Sequence, residues 1–268
     1  VAGRAAFWFG QGAFRCRLAW GRTGAREAAD RGDLLVVVDT LSFSTTAAVA
    51  VARGALLFPC APGEEGEIAA RIGAEAAVHR TQVPSRGRFS QSPASMGRAA
   101  GPGDRIVVGS PNGATCARYG REVPRLFVGA LVNAAACAAA VAAEMESAGS
   151  GAGVTVLACG ERAPAPVTDG EGLRFALEDL LGAGAVLAHL PPALSRSPEA
   201  RAAEAAFRAA AGDLLDTLRA CGSGAELIDR GFPEDVEIAA RLNVLTAVPT
   251  LAADGDRLEP YASGPSGL

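Results

Sequence analysis

The candidate strand Leu34–Asp39 reads LLVVVD, five apolar residues in a row closed by Asp39. A strand with one wet face would show a polar residue at every second position. A strand with none is covered on both faces, the usual condition of a parallel sheet held between helix layers. Similar short runs recur at Ala55–Pro59, Ala76–Thr81, Arg105–Gly109, Leu126–Gly129 and Val154–Cys159, each bounded by glycine, proline or a charge. Helical spacing of small and apolar residues predicts helices over Thr45–Arg53, Glu64–Ile72, Asn133–Ser147, Gly172–Ala188, Glu199–Cys221 and Pro233–Leu245. The alternation predicts an α/β chain: a three-layer α/β/α fold with a mostly parallel or mixed central sheet, in one domain over residues 1–268.

The bulk composition removes several functions. A formal net charge of -4 opposes general nucleic-acid binding, which needs a basic face to displace counterions. All 25 Lys+Arg residues are arginine, so Schiff-base chemistry on lysine and a P-loop lysine are both excluded. No apolar run reaches the roughly 18 to 20 residues of a membrane span. "VAGRAAFWFGQG" is too short and glycine-broken for a leader, so a cytoplasmic location is expected. The six cysteines are scattered without a CxxC pair and read as reduced, buried thiols. "SAGSGAG", Ser147 to Gly153, leaves a helix and enters a strand, the reverse of a dinucleotide fingerprint, and reads as a loop. The tail "PYASGPSGL" reads as a frayed end.

Ligands of open α/β sheets bind at the carboxyl ends of the strands. Five of the expected strand ends run into small polar or turn-forming residues: "DTLSFSTT", "VPSRGRFSQSPASM", "SPNGATCA", "ALVNAAA" and "CGERAP". The first and third put hydroxyls or glycine at a helix start, where unpaired N–H groups favour an anion. Ser44 or Thr45 could cap the helix that follows Asp39, and Pro111, Asn112, Gly113 and Thr115 shape the other turn. A bare carboxylate repels phosphate, so Asp39 beside such a site points to a divalent cation or to acid/base work. Glu178 and Asp179 are adjacent on a predicted helix, where their side chains diverge and only one need enter the cleft. Hard oxygen donors fit Mg²⁺. His79 and His189, the two histidines, read as a strand-end core residue and a helix end, without the spacing of a histidine metal site.

Several phosphate chemistries fail on spacing. Neither Cys116 nor Cys159 has an arginine six positions on, as a cysteine phosphatase requires. A haloacid-dehalogenase nucleophile needs a second Asp two residues after the first, and Leu41 stands there. "GSPNG" lacks the serine position of a nucleophile elbow.

"VVVDTLSFSTTAAVAVARGA", "SQSP", "GSPNGAT", "GALVNA", "LACGERAP", "LEDLLGAGAVLAHL" and "FPEDVEIAARLNVLTAVPTL" occur in the order of the 2-phosphosulfolactate phosphatase family, which the chain resembles over about 34–251. The resemblance implies a Mg²⁺-dependent phosphatase of 2-phospho-3-sulfolactate, in coenzyme M biosynthesis or related sulfolactate metabolism, acting on a small anionic phosphate ester. Asp39 matches the family's aspartate, and Ser44, Thr45 and Thr46 its hydroxyl run. Asn112, Gly113, Asn133, Cys159, Gly160, Glu178 and Asp179 also match. Ser42 and Phe43 stand where the family has Arg-Ala, and Ser90 and Gln91 replace Gly-Asn before Ser92 and Pro93.

The expected site follows. Asp39 with Glu178 or Asp179 holds Mg²⁺. Ser44, Thr45, Thr46, Ser92, Asn112, Gly113 and Thr115 hold phosphate. Arg86, Arg88, Arg162, Asn133 and Cys159 approach the rest of the substrate, the arginines as replacements for the missing one. The alternative is a catalytically lapsed relative that binds a small anion as a sensor or partner protein. A homo-oligomer remains open.

Overall fold

The computed structural model describes residues 9–149, 151–162 and 172–262. The chain starts with β1 (Cys16–Trp20), α1 (Gly21–Arg31), β2 (Leu34–Val38), α2 (Phe43–Ala52), β3 (Leu56–Cys60), α3 (Glu65–Ile72) and β4 (Glu75–Ala76). A 3₁₀ turn (Arg80–Gln82) leads to α4 (Pro93–Ala99), β5 (Arg105–Gly109), α5 (Gly113–Tyr119), β6 (Leu126–Val128) and, after a second 3₁₀ turn (Leu131–Asn133), α6 (Ala134–Ala148). Then come β7 (Val154–Ala158), the two-stranded β8 (Glu161–Arg162) and β9 (Leu173–Arg174), α7 (Leu177–His189), α8 (Pro198–Ala210), α9 (Leu214–Ala220), α10 (Gly222–Asp229) and α11 (Pro233–Ala239). β10 (Pro249–Leu251) and β11 (Leu258–Pro260) end the described chain.

Among the described residues nine strands form one sheet in the order β1-β7-β2-β6-β10-β11-β3-β5-β4. The unbroken apolar runs explain its three layers. Along β2, Leu34, Val36 and Val38 join a core with α6, α7 and α8, while Leu35 and Val37 join another with α1, α2 and α5. Successive residues alternate faces, so both faces are buried and no polar residue is tolerated. Each of these five side chains is worth roughly 1.5–3 kcal/mol of burial.

The sheet is mixed in an ordered way. β1, β7, β2 and β6 are mutually parallel, as are β3, β5 and β4. The antiparallel ribbon β10–β11 joins the two blocks through one residue pair on each side, Thr250 with Phe127 and Leu258 with Leu57. Three antiparallel steps set the blocks in opposite directions. In a flat sheet their carboxyl ends would lie on opposite edges. Twist of about 20–25° per pair accumulates to roughly 80–100° over the four pairings from β2 to β3. The loop after β5 does meet the loop after β2, through the Gly113 N–H bond to Asp39 Oδ2 (2.8 Å).

The sequence reading departs from the fold in definite places. The run Ala76–Thr81 is a two-residue strand followed by a 3₁₀ turn. His79 is an exposed cap of that turn, its Nδ1 2.8 Å from Thr81 Oγ1, and not a core residue. The expected Glu199–Cys221 helix breaks at Gly212–Asp213 into α8 and α9. α7 starts at Leu177, not Gly172, and α11 ends at Ala239. Pro260 lies in β11, and the Tyr261 ring packs 5.4 Å from Phe127, so the start of the supposed frayed tail is ordered, while 263–268 lie outside the described residues. Among the described residues no helix is long and apolar enough to cross a membrane.

Candidate active site

Asp39 follows the buried β2 and is itself 4% exposed. Its Oδ1 accepts the Phe43 N–H (3.2 Å) and its Oδ2 accepts the Gly113 N–H (2.8 Å) and the Ser110 hydroxyl (3.4 Å). The carboxylate therefore ties the β2 loop to the β5 loop. Gly113 is required for that approach, because a Cβ there would overlap the Phe43 ring and stand 2.8 Å from Asp39 Oδ2.

Asp179, in the first turn of α7, comes to the same place. Its Oδ1 accepts the Thr40 N–H (2.7 Å) and its Oδ2 the Gly160 N–H (2.9 Å). Thr40 Oγ1 donates to the Glu178 carbonyl (2.9 Å). Gly182 allows α7 to lie this close: a Cβ there would stand 2.5 Å from Thr40 Oγ1 and 2.8 Å from Val38 Cγ1. Glu178 is as buried as Asp179, and its Oε1 accepts a short hydrogen bond from the Ser223 hydroxyl on α10. The two neighbours do diverge, yet neither faces solvent.

Burial pushes the Asp39 carboxyl up to about 6; the N–H groups of Gly113 and Phe43 oppose this, and the charges of Glu161 and Glu178 add to it. Burial likewise raises Asp179 well above the ordinary carboxyl range, with Asp39 and Glu178 next in effect. The Cys159 thiol is raised by burial, by its hydrogen bond with Cys116 and by both aspartates. It stays protonated near neutrality and is a poor nucleophile. All six cysteines are free and buried.

Glu161 was not singled out by the sequence reading. Its Oε1 accepts Asn112 Nδ2 (3.0 Å) and the Arg162 N–H (2.7 Å), which joins the β7 loop to the β5 turn. "CGERAP" carried that signal, since a charged pair directly follows a strand end; Ala163 and Pro164 lie outside the described residues.

Most of the expected phosphate hydroxyls are already engaged. Ser44 Oγ donates to the Val37 carbonyl (3.1 Å) and accepts the Asp39 N–H (2.9 Å), while Thr45 Oγ1 donates to the Thr40 carbonyl (2.7 Å). The residue at the start of α2 is Ser42, without a side-chain cap bond. Thr46 Oγ1 is buried and has no partner among the described residues. Thr115 Oγ1 donates to the Ser110 carbonyl (2.7 Å). Ser92 caps α4 and donates to Asp235 Oδ1 (2.6 Å). Asn133 is buried on the Ala130 N–H and the carbonyls of Val128 and Ala247. Arg88 holds both carboxyl oxygens of Asp104 (3.0 and 3.1 Å). Arg162 Nε donates to the Pro111 carbonyl (3.3 Å), and the Arg86 backbone N–H to Gln82.

The donor set suits a hard divalent cation: buried carboxylates whose strongest charged neighbours are other carboxylates. Among the described residues no three His, Cys, Asp or Glu side chains converge on one metal position. Mg²⁺ commonly takes one or two carboxylates and completes its shell with water and phosphate oxygens, so a pair drawn from Asp39, Asp179 and Glu178 is chemically sufficient.

A family model described as 2-phosphosulpholactate phosphatase matches residues 23–254. The chain belongs to the 2-phosphosulpholactate phosphatase family. Two similar proteins carry the name probable 2-phosphosulfolactate phosphatase. One, from Gloeobacter violaceus, is 29% identical over 234 residues, covering 83% of this chain and 90% of its own. The other, from Deinococcus radiodurans, is 29% identical over 235 residues, covering 84% and 90%. The matched span includes Asp39, Gly113, Glu161, Glu178 and Asp179.

Proposed function

We propose that the chain is a Mg²⁺-dependent phosphomonoesterase acting on 2-phospho-3-sulfolactate or a similar 2-hydroxyacid phosphate. One observation carries the reading: buried Asp39, at the end of an apolar strand, is fixed by the β5 turn beside a second buried carboxyl, Asp179. Family membership supports the substrate class.

Asp39 and Asp179, with Glu178 behind them, would hold Mg²⁺, which when bound polarises phosphoryl oxygens and acidifies water. The protein does the rest. Ser44, Thr45 and Thr115 spend their hydroxyls on neighbouring carbonyls, so they set the shape of the two turns. The Phe43 and Gly113 N–H groups and the Ser110 hydroxyl are held by Asp39, so the second N–H of the half-buried Asn112 amide, beside its bond to Glu161, would meet the phosphate. The hydrogen bonds from Thr40 and Gly160 fix the Asp179 oxygens, so the charge is positioned before substrate arrives.

Phosphate release from 2-phospho-3-sulfolactate, measured with Mg²⁺ and with a chelator, tests the proposal. Turnover only with the cation is the expected result. Binding of phosphate without turnover under both conditions would instead favour the lapsed, anion-binding alternative.

A further inference from the structure

We propose that Arg80 and the cavity beside it form the subsite for the acid group that the substrate carries apart from its phosphate; this rests on the phosphatase reading above. Arg80 begins the 3₁₀ turn after β4, far in sequence from the Asp39 loop. Its Nη2 nonetheless donates to Ser42 Oγ (2.5 Å), and Ser42 is the residue before the N–H that binds Asp39. Its Nε donates to Asp235 Oδ2 (3.0 Å). Asp235 is 1% exposed and is itself fixed by the Ser92 hydroxyl (2.6 Å) and the Ala94 N–H (3.2 Å), both on Oδ1.

This is the arrangement of an oriented guanidinium. Arginine has five N–H donors in a rigid fork. Asp235 takes the Nε edge and Ser42 takes one Nη2 hydrogen. Among the described residues Nη1 makes no hydrogen bond to protein. Arg80 also lines a cavity of about 280 Å³ with Ser90, Ser92, Ser95 and Arg98. Glu234 and Asp235 line the same cavity, but Asp235 engages only the Nε edge of Arg80 and the exposed Glu234 engages Arg98 (2.7 Å), so a small anion there would meet the serine hydroxyls and the outer N–H groups of Arg80. The charged groups around Asp39, namely Glu161, Glu178 and Asp179, are acidic, so a substrate with two anionic ends needs a cation for the end away from the metal. Arg80 bonds directly to the loop that begins at Asp39. A planar guanidinium takes a carboxylate or sulfonate through paired hydrogen bonds.

The test compares wild type with Arg80→Gln and Arg80→Lys on 2-phospho-3-sulfolactate, 2-phospholactate and p-nitrophenyl phosphate, the last having no second acid. The expected result for Arg80→Gln is a rise in KM for phosphosulfolactate that makes its kcat/KM loss at least about ten-fold larger than that on p-nitrophenyl phosphate. Arg80→Lys should recover part of it. An equal loss on phospholactate assigns the carboxylate to Arg80, and a spared phospholactate assigns the sulfonate. Equal losses on phosphosulfolactate and p-nitrophenyl phosphate would reduce Arg80 to a structural ion pair and overturn the subsite. Calorimetric titration of sulfolactate itself separates this from the phosphatase reading. If no ester is hydrolysed, weaker sulfolactate binding in Arg80→Gln still supports the subsite. No binding to wild type, or unchanged binding in the variant, overturns it.

Discussion

Both carboxyl oxygens of Asp39 accept backbone N–H groups, which limits what can replace it. An amide has one acceptor oxygen, so in Asp39→Asn the NH₂ must face either Phe43 or Gly113. The variant should fold with a loss of about 1–3 kcal/mol, read by chemical denaturation. Its phosphatase activity should fall at least ~100-fold, the scale of removing one electrostatic catalytic contact. The carboxyl also sets a pH dependence. It is held at about 6 against an ordinary 3.8, so the folded protein binds this proton more tightly than the unfolded chain. That stability is complete below 3.8 and is lost as pH rises through about 6. Two units correspond to at most about 3 kcal/mol, and Asp179 shifts the same way. With a chelator present, Tm should therefore drop across this window. Added Mg²⁺ should raise Tm at neutral pH but not in acid. A flat profile with no response to Mg²⁺ would remove the cation from these carboxyls. Cys116→Ser, by contrast, should keep much of the activity, because the arginine six positions on that a thiolate phosphatase needs is absent.

At the level of elements, the site depends on two turns that approach without side-chain volume between them. Gly113→Ala should displace either the Phe43 ring or the Asp39 carboxylate and lower kcat/KM strongly. Gly66→Ala, in α3 where a new Cβ meets nothing within 4 Å, should leave activity alone and stabilise by up to about 1 kcal/mol. Running both variants through the same assay separates a local clash from a general glycine effect. The strands were legible because burial on both faces leaves an unbroken apolar run: Arg105–Gly109 was read to the residue, and β2, β3, β6 and β7 to within one. Asp39 was legible for the same reason, as a lone carboxylate ending such a run. Arg80 was not. Its meaning lies in bonds to Ser42 and Asp235, 38 and 155 residues away, and nothing local distinguishes it from Arg86 or Arg88. Glu161 was not singled out, because Arg162 drew attention as a stand-in for the family's missing arginine, and only the fold shows Glu161 bonded to Asn112.

Across the whole molecule, the β10–β11 ribbon was the part least visible in the sequence. Its strands have three residues each and contain prolines, so they lack the length and pattern that marked the others. Leu258 is fully buried and is the single residue of β11 paired with β3. Leu258→Ala should cost about 2–5 kcal/mol. It should also weaken substrate binding although it lies outside the cleft, because the β5 loop is carried by the block that Leu258 joins. A denaturation midpoint and KM measured on the same preparation would show both effects or break the link between them.

The bond between Gly113 and Asp39 spans those two blocks, and any small molecule lodged there touches both. Such a molecule acts as a clasp across the crease, binding the folded chain and not the unfolded one, and at a hundred-fold excess over its Kd it adds about 2.7 kcal/mol of stability. Melting temperature thus becomes a readout for searching chemical space. A panel of phosphorylated and sulfonated acids can be ranked by how far each raises it, before a single turnover has been observed.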